Sequence, residues 1–459
     1  MNLAIDTYPD SKYDLNVDTA VNRNTILILI CTAAVAAPAT LTMDDAVRNA
    51  MRHNRSVAAA RSKIDERAAQ LAAAKTRRWP VSSTMLQFGP SLTRANVTFP
   101  AGAFGTYEGT GPLPGEDIRV GIPRQLSGFS YSQAALPLTQ QWRIGAAIEV
   151  ARLEREVSGR EAEVAEREIA QQTRQTYLAI LSLDAARAAA RARTALAAEV
   201  ERLASGGVTA GVALPAEARE AAARLERARA AQAELDAERE NLREQLNALM
   251  GSPLDAEWDF WPPVLDEPGA ANAAQAQALA AAQRPELEAA RLRIRQAEAE
   301  ARGKRSEFVP DVSLSVSHFG FLNTGNLAPS NFAVAGVTVQ WEPWDWGRKK
   351  HELAALRHRR EQELLSHQEG TQQVSRQAGA AWRAWKQSET NLAAARTALT
   401  ASEESLRVAR ARYEKEAALL RQLLEAQADF EAAQEQEVRA FAARGTAWAN
   451  LQFALGSKP

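Results

Sequence analysis

Apolar positions along this chain repeat with two different periods. From Gly347 to about Glu416 no proline interrupts a run that favours helix nearly throughout. Within it Ala378, Trp385, Leu392, Leu399, Leu406 and Tyr413 recur at every seventh position, and Ala395, Ser402 and Ala409 each follow a member of that row by three residues. A heptad seam of this kind predicts long helices wound into a left-handed supercoil, and the small second row permits close approach. Unbroken, the run extends on the order of 100 Å at 1.5 Å per residue. A period of two appears just before it. Val312, Leu314 and Val316 alternate with Ser313, Ser315 and Ser317, and Ala333, Ala335, Val337, Val339 and Trp341 alternate with Val334, Gly336, Thr338 and Gln340. Each alternation covers about ten residues, the length of a membrane-crossing β-strand. The expected strands are 311–322 and 331–342, joined by the turn-rich NTGNLAPSN.

The same series occurs twice. Residues 55–80 (RSVAAARSKIDERAAQLAAAKTRRWP) and 285–310 (PELEAARLRIRQAEAEARGKRSEFVP) are equally long and end on Pro80 and Pro310. Each proline is followed by serine-rich alternation, VSSTMLQFG or DVSLSVSHFG, and then by a glycine, Gly145 or Gly347, that opens a long helical stretch. Each stretch closes on a similar ending, NALMG at Gly251 and FALG at Gly456. Four landmarks in one order define a tandem duplication, with repeat 1 over 40–251 and repeat 2 over 271–459. Repeat 1 has weaker strands at 82–99 and 129–142, separated by Gly- and Pro-rich material (99–128) that reads as a long loop. Between the repeats, 252–270 holds Pro253, Pro262, Pro263 and Pro268 with Trp258 and Trp261, so it is a linker and not a regular helix.

The remaining signals exclude more than they assign. Thr25 to Ala39 is a short apolar block ending in small residues, so 1–39 reads as an export pre-sequence cut after Ala36 or Ala39. Cys31, the one cysteine, follows Ile30 where a lipoprotein needs a small residue. It also rules out disulfides and thiolate metal sites. Lys and Arg total 55 against 56 Asp and Glu, a balance that disfavours nucleic acid as a partner. The alternating charges of 151–168 describe a solvated helix face. Five histidines and five methionines offer no metal path, and no phosphate loop, nucleophile elbow or catalytic cluster occurs. No cofactor, no metal and no catalytic residue is expected.

Four strands cannot close a barrel, and an open sheet edge is not tolerated in hydrocarbon. If the strands span a bilayer the chain must oligomerise, and a trimer supplies about twelve of them. Trp341, Trp344 and Trp346 at the strand end suit an interfacial aromatic belt. The competing reading is a periplasmic coiled-coil scaffold or adaptor-like protein, which explains the heptads and leaves the strands without a purpose.

Along nearly its whole mature length the chain resembles the TolC-like outer-membrane efflux proteins. The likeness is carried by the opening LTMDDAVRNAMRHNRSVAAARSKIDERAAQLAAAKTRRWP, by the junctions ALPLTQQWRIG and VQWEPWDWGRKK, and by the ending ARYEKEAALLRQLLEAQADF…LQFALG. The resemblance implies a mainly α fold with a small β part. Long coiled helices would form a periplasmic α-barrel, and four transmembrane strands per chain would join a shared 12-stranded outer-membrane barrel in a homotrimer. It implies a passive channel of a tripartite efflux or type I secretion system, docked at its hairpin tips to a membrane-fusion adaptor and an inner-membrane pump. Tip contacts would fall on Gly206, Gly207, Ala417 and Ala418, with Gly206, Gly207 and Gly211 making the first turn. The second tip, EKEAALL, lacks the usual glycine. For the periplasmic gate, Glu425 and Gln422 stand where the family places two aspartates, and Tyr413 matches a tyrosine that helps close the mouth. Gln422 halves the expected carboxylates and Arg421 offsets the other, which weakens the expectation of a cation-selective mouth.

Overall fold

The computed structural model describes residues 39–459 apart from 91, 93–94, 123–125, 210–213, 268, 324–329, 415–419 and 459. The export segment expected over 1–39 lies outside the described residues but for Ala39. The chain divides into Met1–Ala39 and Thr40–Pro459, and every element from the first helix onward belongs to the second unit.

Strand β1 (Ala39–Leu41) leads into α1 (Met43–His53) and α2 (Arg55–Thr76). Thr42 caps α1 by accepting from the Asp45 N–H at 3.1 Å, with acids in the first turn and Arg52 and His53 in the last. Asn54 separates the helices. Its Oδ1 accepts from the Ser56 N–H at 2.9 Å to start α2, and its Nδ2 donates to the Leu249 carbonyl at 2.9 Å. After Pro80 come β2 (Val81–Pro90), β3 (Ala95–Phe99), β4 (Thr106–Tyr107), β5 (Gly111–Pro112), β6 (Ile118–Ile122) and β7 (Leu126–Pro137). The first long hairpin is α3 (Gln141–Thr209) with α4 (Pro215–Met250). Strand β8 (Trp258–Phe260) lies between the repeats, and α5 (Ala273–Gln283), α6 (Pro285–Arg305), β9 (Asp311–Leu322) and β10 (Asn331–Gln340) follow. The second hairpin is α7 (Arg348–Glu414) with α8 (Leu420–Leu455).

Repeat 1 departs from the sequence expectation in its strands. The strand expected over 82–99 is two strands, because Gly89 and Pro90 end the pairing of β2 and β3 takes a different partner, β6. The expected loop over 99–128 holds that hairpin and the smaller β4–β5 pair, ordered by contacts such as the Ala101 N–H donating to Asp117 at 2.9 Å. The strand expected over 129–142 is β7, which begins at Leu126 and stops at Pro137. Thr139 halts it: its hydroxyl donates to the Pro310 carbonyl at 2.8 Å and accepts from the Val312 N–H at 2.7 Å, and α3 starts two residues later. In repeat 2, β10 ends at Gln340 and not at 342.

Four strands form one antiparallel sheet in the order β10-β9-β7-β2. The helices attached to them keep that order. Helix α2 packs on α3, α3 on α6 and α6 on α7, so each strand continues into one member of a helical layer. Ion pairs stitch neighbours together: Arg61–Glu166 at 2.7 Å, Lys63–Glu161 at 2.9 Å, Arg293–Glu161 at 2.8 Å and Arg359–Glu300 at 2.9 Å. Partial burial opposes the charge of Glu161, yet Lys63 and Arg293 outweigh it and hold its carboxyl below the usual range. Being half-exposed, such pairs set register more than stability.

The largest core lies where α3, α4, α7 and α8 meet the short elements. Tyr177, Leu246, Met250, Trp385, Trp448 and Leu451 are its buried centre. The Tyr177 hydroxyl lies 2.7 Å from the carbonyls of both Leu41 and Trp261 and accepts from the Trp261 N–H at 2.9 Å. Indoles secure the inter-repeat segment: Trp258 donates to Asn247 at 2.7 Å, Trp448 to the Asp266 carbonyl at 2.9 Å and Trp382 to the Ala270 carbonyl at 3.1 Å. The heptad row of α7 is buried here at Ala378, Trp385 and Leu392, and half-buried further along at Leu399 and Leu406.

Gly251 and Gly456 end the two hairpins with φ of 68° and 90°. In each case the next N–H returns to a carbonyl of the last turn, Ser252 to Asn247 at 2.9 Å and Ser457 to Gln452 at 3.2 Å. A Cβ on Gly251 would sit 2.7 Å from the His53 carbonyl oxygen, and one on Gly456 would sit 2.8 Å from the Gln283 Cβ. Gly251→Ala should therefore cost about 1–3 kcal/mol in thermal unfolding in detergent. Gly206→Ala, in open space within α3, should be neutral or slightly stabilising.

Candidate membrane sheet and hairpin tips

Register sorts the sheet into two chemically different faces. Val316 pairs with Ala335, Leu314 with Val337 and Val312 with Val339, while Ala134 and Leu136 of β7 stand opposite Val316 and Leu314. Leu86 and Phe88 of β2 lie on the same, mainly apolar face, which Thr84, Ser130, Ser132 and His318 interrupt between them. The other face carries Ser313, Ser315, Ser317 and Gln133, with Ser315 and Thr338 hydroxyls 3.2 Å apart. Toward the hairpin ends this second face becomes aromatic. Phe319 stacks on Phe332 at 4.8 Å and meets Tyr131 at 4.9 Å, and the Tyr131 hydroxyl donates to Gln133 at 2.9 Å. On β9 the aliphatic side chains Leu314 and Val316 are exposed and the serines between them half-buried, as in a sheet that curls toward its serine side.

Both edges are open among the described residues. Strand β10 is exposed at every position and β2 at nearly every one. Exposed apolar side chains on the sheet include Leu86, Phe88, Leu126, Val337 and Val339. A soluble surface rarely exposes so many apolar side chains on one sheet. No helix among the described residues is long and apolar enough to cross a membrane.

The tryptophans of the expected belt come together at the junction between β10 and α7. Trp341, Trp344 and Trp346 are 62%, 70% and 88% exposed, and Trp344 meets Trp346 edge to face at 5.8 Å. Trp79 ahead of β2 and Trp142 at the start of α3 are exposed as well. Sequence reasoning passed over these two because they are isolated, although each adjoins a strand end in repeat 1 as Trp341 does in repeat 2.

The hairpin tips share one end. Near them α3, α4 and α8 line a groove with Arg193, Ala221, Arg224 and Glu431, and Arg193 pairs with Glu431 at 3.1 Å. Gly206 and Gly207 do not make the first turn. Both lie inside α3, which continues to Thr209, since a helix absorbs glycine at about 1 kcal/mol each. The break falls after Thr209 and before Pro215, and Gly211 lies outside the described residues. Ala417 and Ala418 also lie outside them. Tyr413 is in the last turn of α7, and Gln422 and Glu425 are exposed in the first two turns of α8. Among the described residues no group of three His, Cys, Asp or Glu is placed to hold a metal.

The comparisons agree with this geometry. Residues 277–457 match the family described as outer membrane efflux protein. Solved structures with the same fold include a membrane protein from Pseudomonas aeruginosa, 20% identical with a TM-score of 0.74 over 92% of this chain and 91% of that one. The CmeC outer membrane channel of Campylobacter jejuni is 16% identical with a TM-score of 0.75, over 90% and 85%. The outer membrane protein VceC of Vibrio cholerae is 16% identical with a TM-score of 0.73, over 90% and 96%. No curated protein matches the sequence. The sequence signature of the outer membrane efflux family thus lies in repeat 2, and the fold shared with these solved channels extends over both repeats.

The two faces of the sheet make distinct predictions. Val316→Arg, on the apolar face, should lose about 2–4 kcal/mol of membrane stability and leave little folded protein in the membrane fraction. Ser315→Arg, one residue away on the opposite face, should assemble normally in the same fractionation.

Proposed function

We propose that this chain is the outer-membrane channel of a tripartite efflux or type I secretion assembly, a homotrimer that conducts solutes passively from the periplasm to the outside. The observation that carries the reading is the four-stranded sheet with one aliphatic face and two open edges. Its end strands β2 and β10 run in opposite directions, so β2 of one copy meets β10 of the next as an antiparallel pair. Every edge is then satisfied, and three copies give about twelve strands, an even number as bacterial barrels require. The aliphatic face turns to lipid and the serine face to a water-filled interior. Because α2 and α7 are the edges of the helical layer, the same step joins α7 of one copy to α2 of the next and carries the tube into the periplasm. Transport through such a tube needs no catalytic group, which accords with the absence of a catalytic motif in the sequence.

Selectivity then rests on the tips. Glu425, Gln422 and Tyr413 flank the second tip and are assigned to the periplasmic gate, where one carboxylate per copy gives a weaker cation preference than two would. Gly206, Gly207, Ala417 and Ala418 are assigned to contacts with a membrane-fusion adaptor that links the channel to an inner-membrane pump.

Native mass spectrometry of the mature chain, extracted from outer membranes in mild detergent, should give a trimer. A monomer, or a chain released by high salt alone, would return the protein to the scaffold reading. In planar bilayers, Glu425→Ala combined with Tyr413→Phe should raise single-channel conductance, and an unchanged conductance removes both residues from the gate.

A further inference from the structure

The four helices of the layer meet the sheet at one level, and the chemistry there differs from the rest of the chain. The junction consists of residues 75–80 at the end of α2, 137–143 at the start of α3, 302–311 at the end of α6 and 341–350 at the start of α7. These stretches hold ten Lys and Arg side chains and four carboxylates, in a chain whose formal net charge is −1. The carboxylates are already engaged. Asp311 pairs with Arg143 at 3.2 Å, Glu307 with Lys304 at 2.7 Å, and Glu342 with Arg348 at 2.7 Å and Lys349 at 3.4 Å. Asp345 accepts from the Gly347 and Lys349 N–H groups at 3.0 and 2.9 Å. Lys75, Arg77, Arg78, Arg302, Arg305 and Lys350 are exposed and form no ion pair among the described residues. Lower on the same helices the pattern changes, and cations such as Lys63 and Arg293 bridge to a neighbour's carboxylate.

Apolar rings are interleaved with these cations. Trp79, Trp142, Phe308, Trp341, Trp344 and Trp346 are all exposed at the same level. Indole rings and the aliphatic stems of Lys and Arg favour the boundary between hydrocarbon and headgroups, and unpaired cations there draw in negative lipid. A dissolved anion would answer the cations and leave the rings against water. A neutral bilayer would cover the rings and leave the positive excess unanswered. Only an anionic lipid surface satisfies both.

We infer that this junction is a collar that binds anionic phospholipid headgroups of the leaflet facing the helices. Their phosphates are held by Lys75, Arg77 and Arg78 around the end of α2, by Arg302 and Arg305 at the end of α6 and by Lys350 at the start of α7. The inference rests on the membrane-spanning reading above. It adds a preferred lipid to that reading, and with it a fixed height for the sheet in the bilayer.

The test uses the purified full chain in nanodiscs of phosphatidylcholine containing a minority of phosphatidylglycerol, with retained lipids read by native mass spectrometry. Wild type should retain phosphatidylglycerol about tenfold above its share of the bulk lipid. Arg77→Gln/Arg78→Gln/Arg302→Gln/Arg305→Gln should bring retention close to the bulk share while still inserting and conducting. An inserted, conducting wild type with no enrichment overturns the collar and leaves the channel reading standing, as does enrichment that survives in the fourfold variant. Failure of the wild type to enter any bilayer overturns both. Should the variant not assemble, salt decides: headgroup pairing weakens steeply toward roughly 1 M salt, so undiminished enrichment there overturns the collar.

Discussion

An unpaired strand edge in hydrocarbon costs several kcal/mol for each exposed N–H or C=O, and much else in this chain depends on that cost. Strands β2 and β10 each present such an edge over ten residues. No element among the described residues covers either one; in the proposed channel, other copies of the chain do. Helices α2, α3, α6 and α7 follow the strands in the same lateral order, so in the proposed assembly closure above and closure below would be one event. A subunit that docks its sheet edge also docks its helices.

The rigid point of the molecule is where the short elements clasp the long ones. Tyr177 binds the backbone of Leu41 and Trp261, and burial pushes its phenol pKa above the ordinary value even though the hydrogen bond donated by the Trp261 N–H opposes this. Buried tryptophans from α7 and α8 close on the same region. The heptad seam of α7 is buried at this end and half-buried toward the tip. In a coiled pair, stability follows that gradient, and the tip is the end where helices can part at least cost.

The two halves share one scaffold and differ in chemistry. Gly251 and Gly456 stop equivalent hairpins with the same left-handed residue against the end of α1 or α5. At the position between the paired short helices, Asn54 caps α2 and also binds the Leu249 carbonyl. Its counterpart Arg284 makes no cap and instead reaches the Phe453 carbonyl at 3.4 Å while its guanidinium lies 4.9 Å from the Phe453 ring. The two residues perform one task, binding the end of the returning helix, by different means.

Local pattern was enough to determine the helices, the strands of repeat 2 and the aromatic cluster at Trp341, because these depend on periodicity and composition within one stretch of chain. The strands of repeat 1 were less legible. Val81–Pro90 pairs with β7 while β3 pairs with β6, 19 to 27 residues further along, and no local signal announces a partner at that distance. The glycines at 206 and 207 signalled a turn, yet the helix continued through them because its neighbours favour helix and a single glycine is a small local penalty. Trp79 and Trp142 gained meaning only when folding brought them level with Trp341. The sequence by itself determined the long helices, the two strands of repeat 2 and which face of those strands is apolar. The tertiary structure decided the order of the strands, the two open edges and the gathering of unpaired cations at one level, because each of these depends on pairing between residues far apart in the chain.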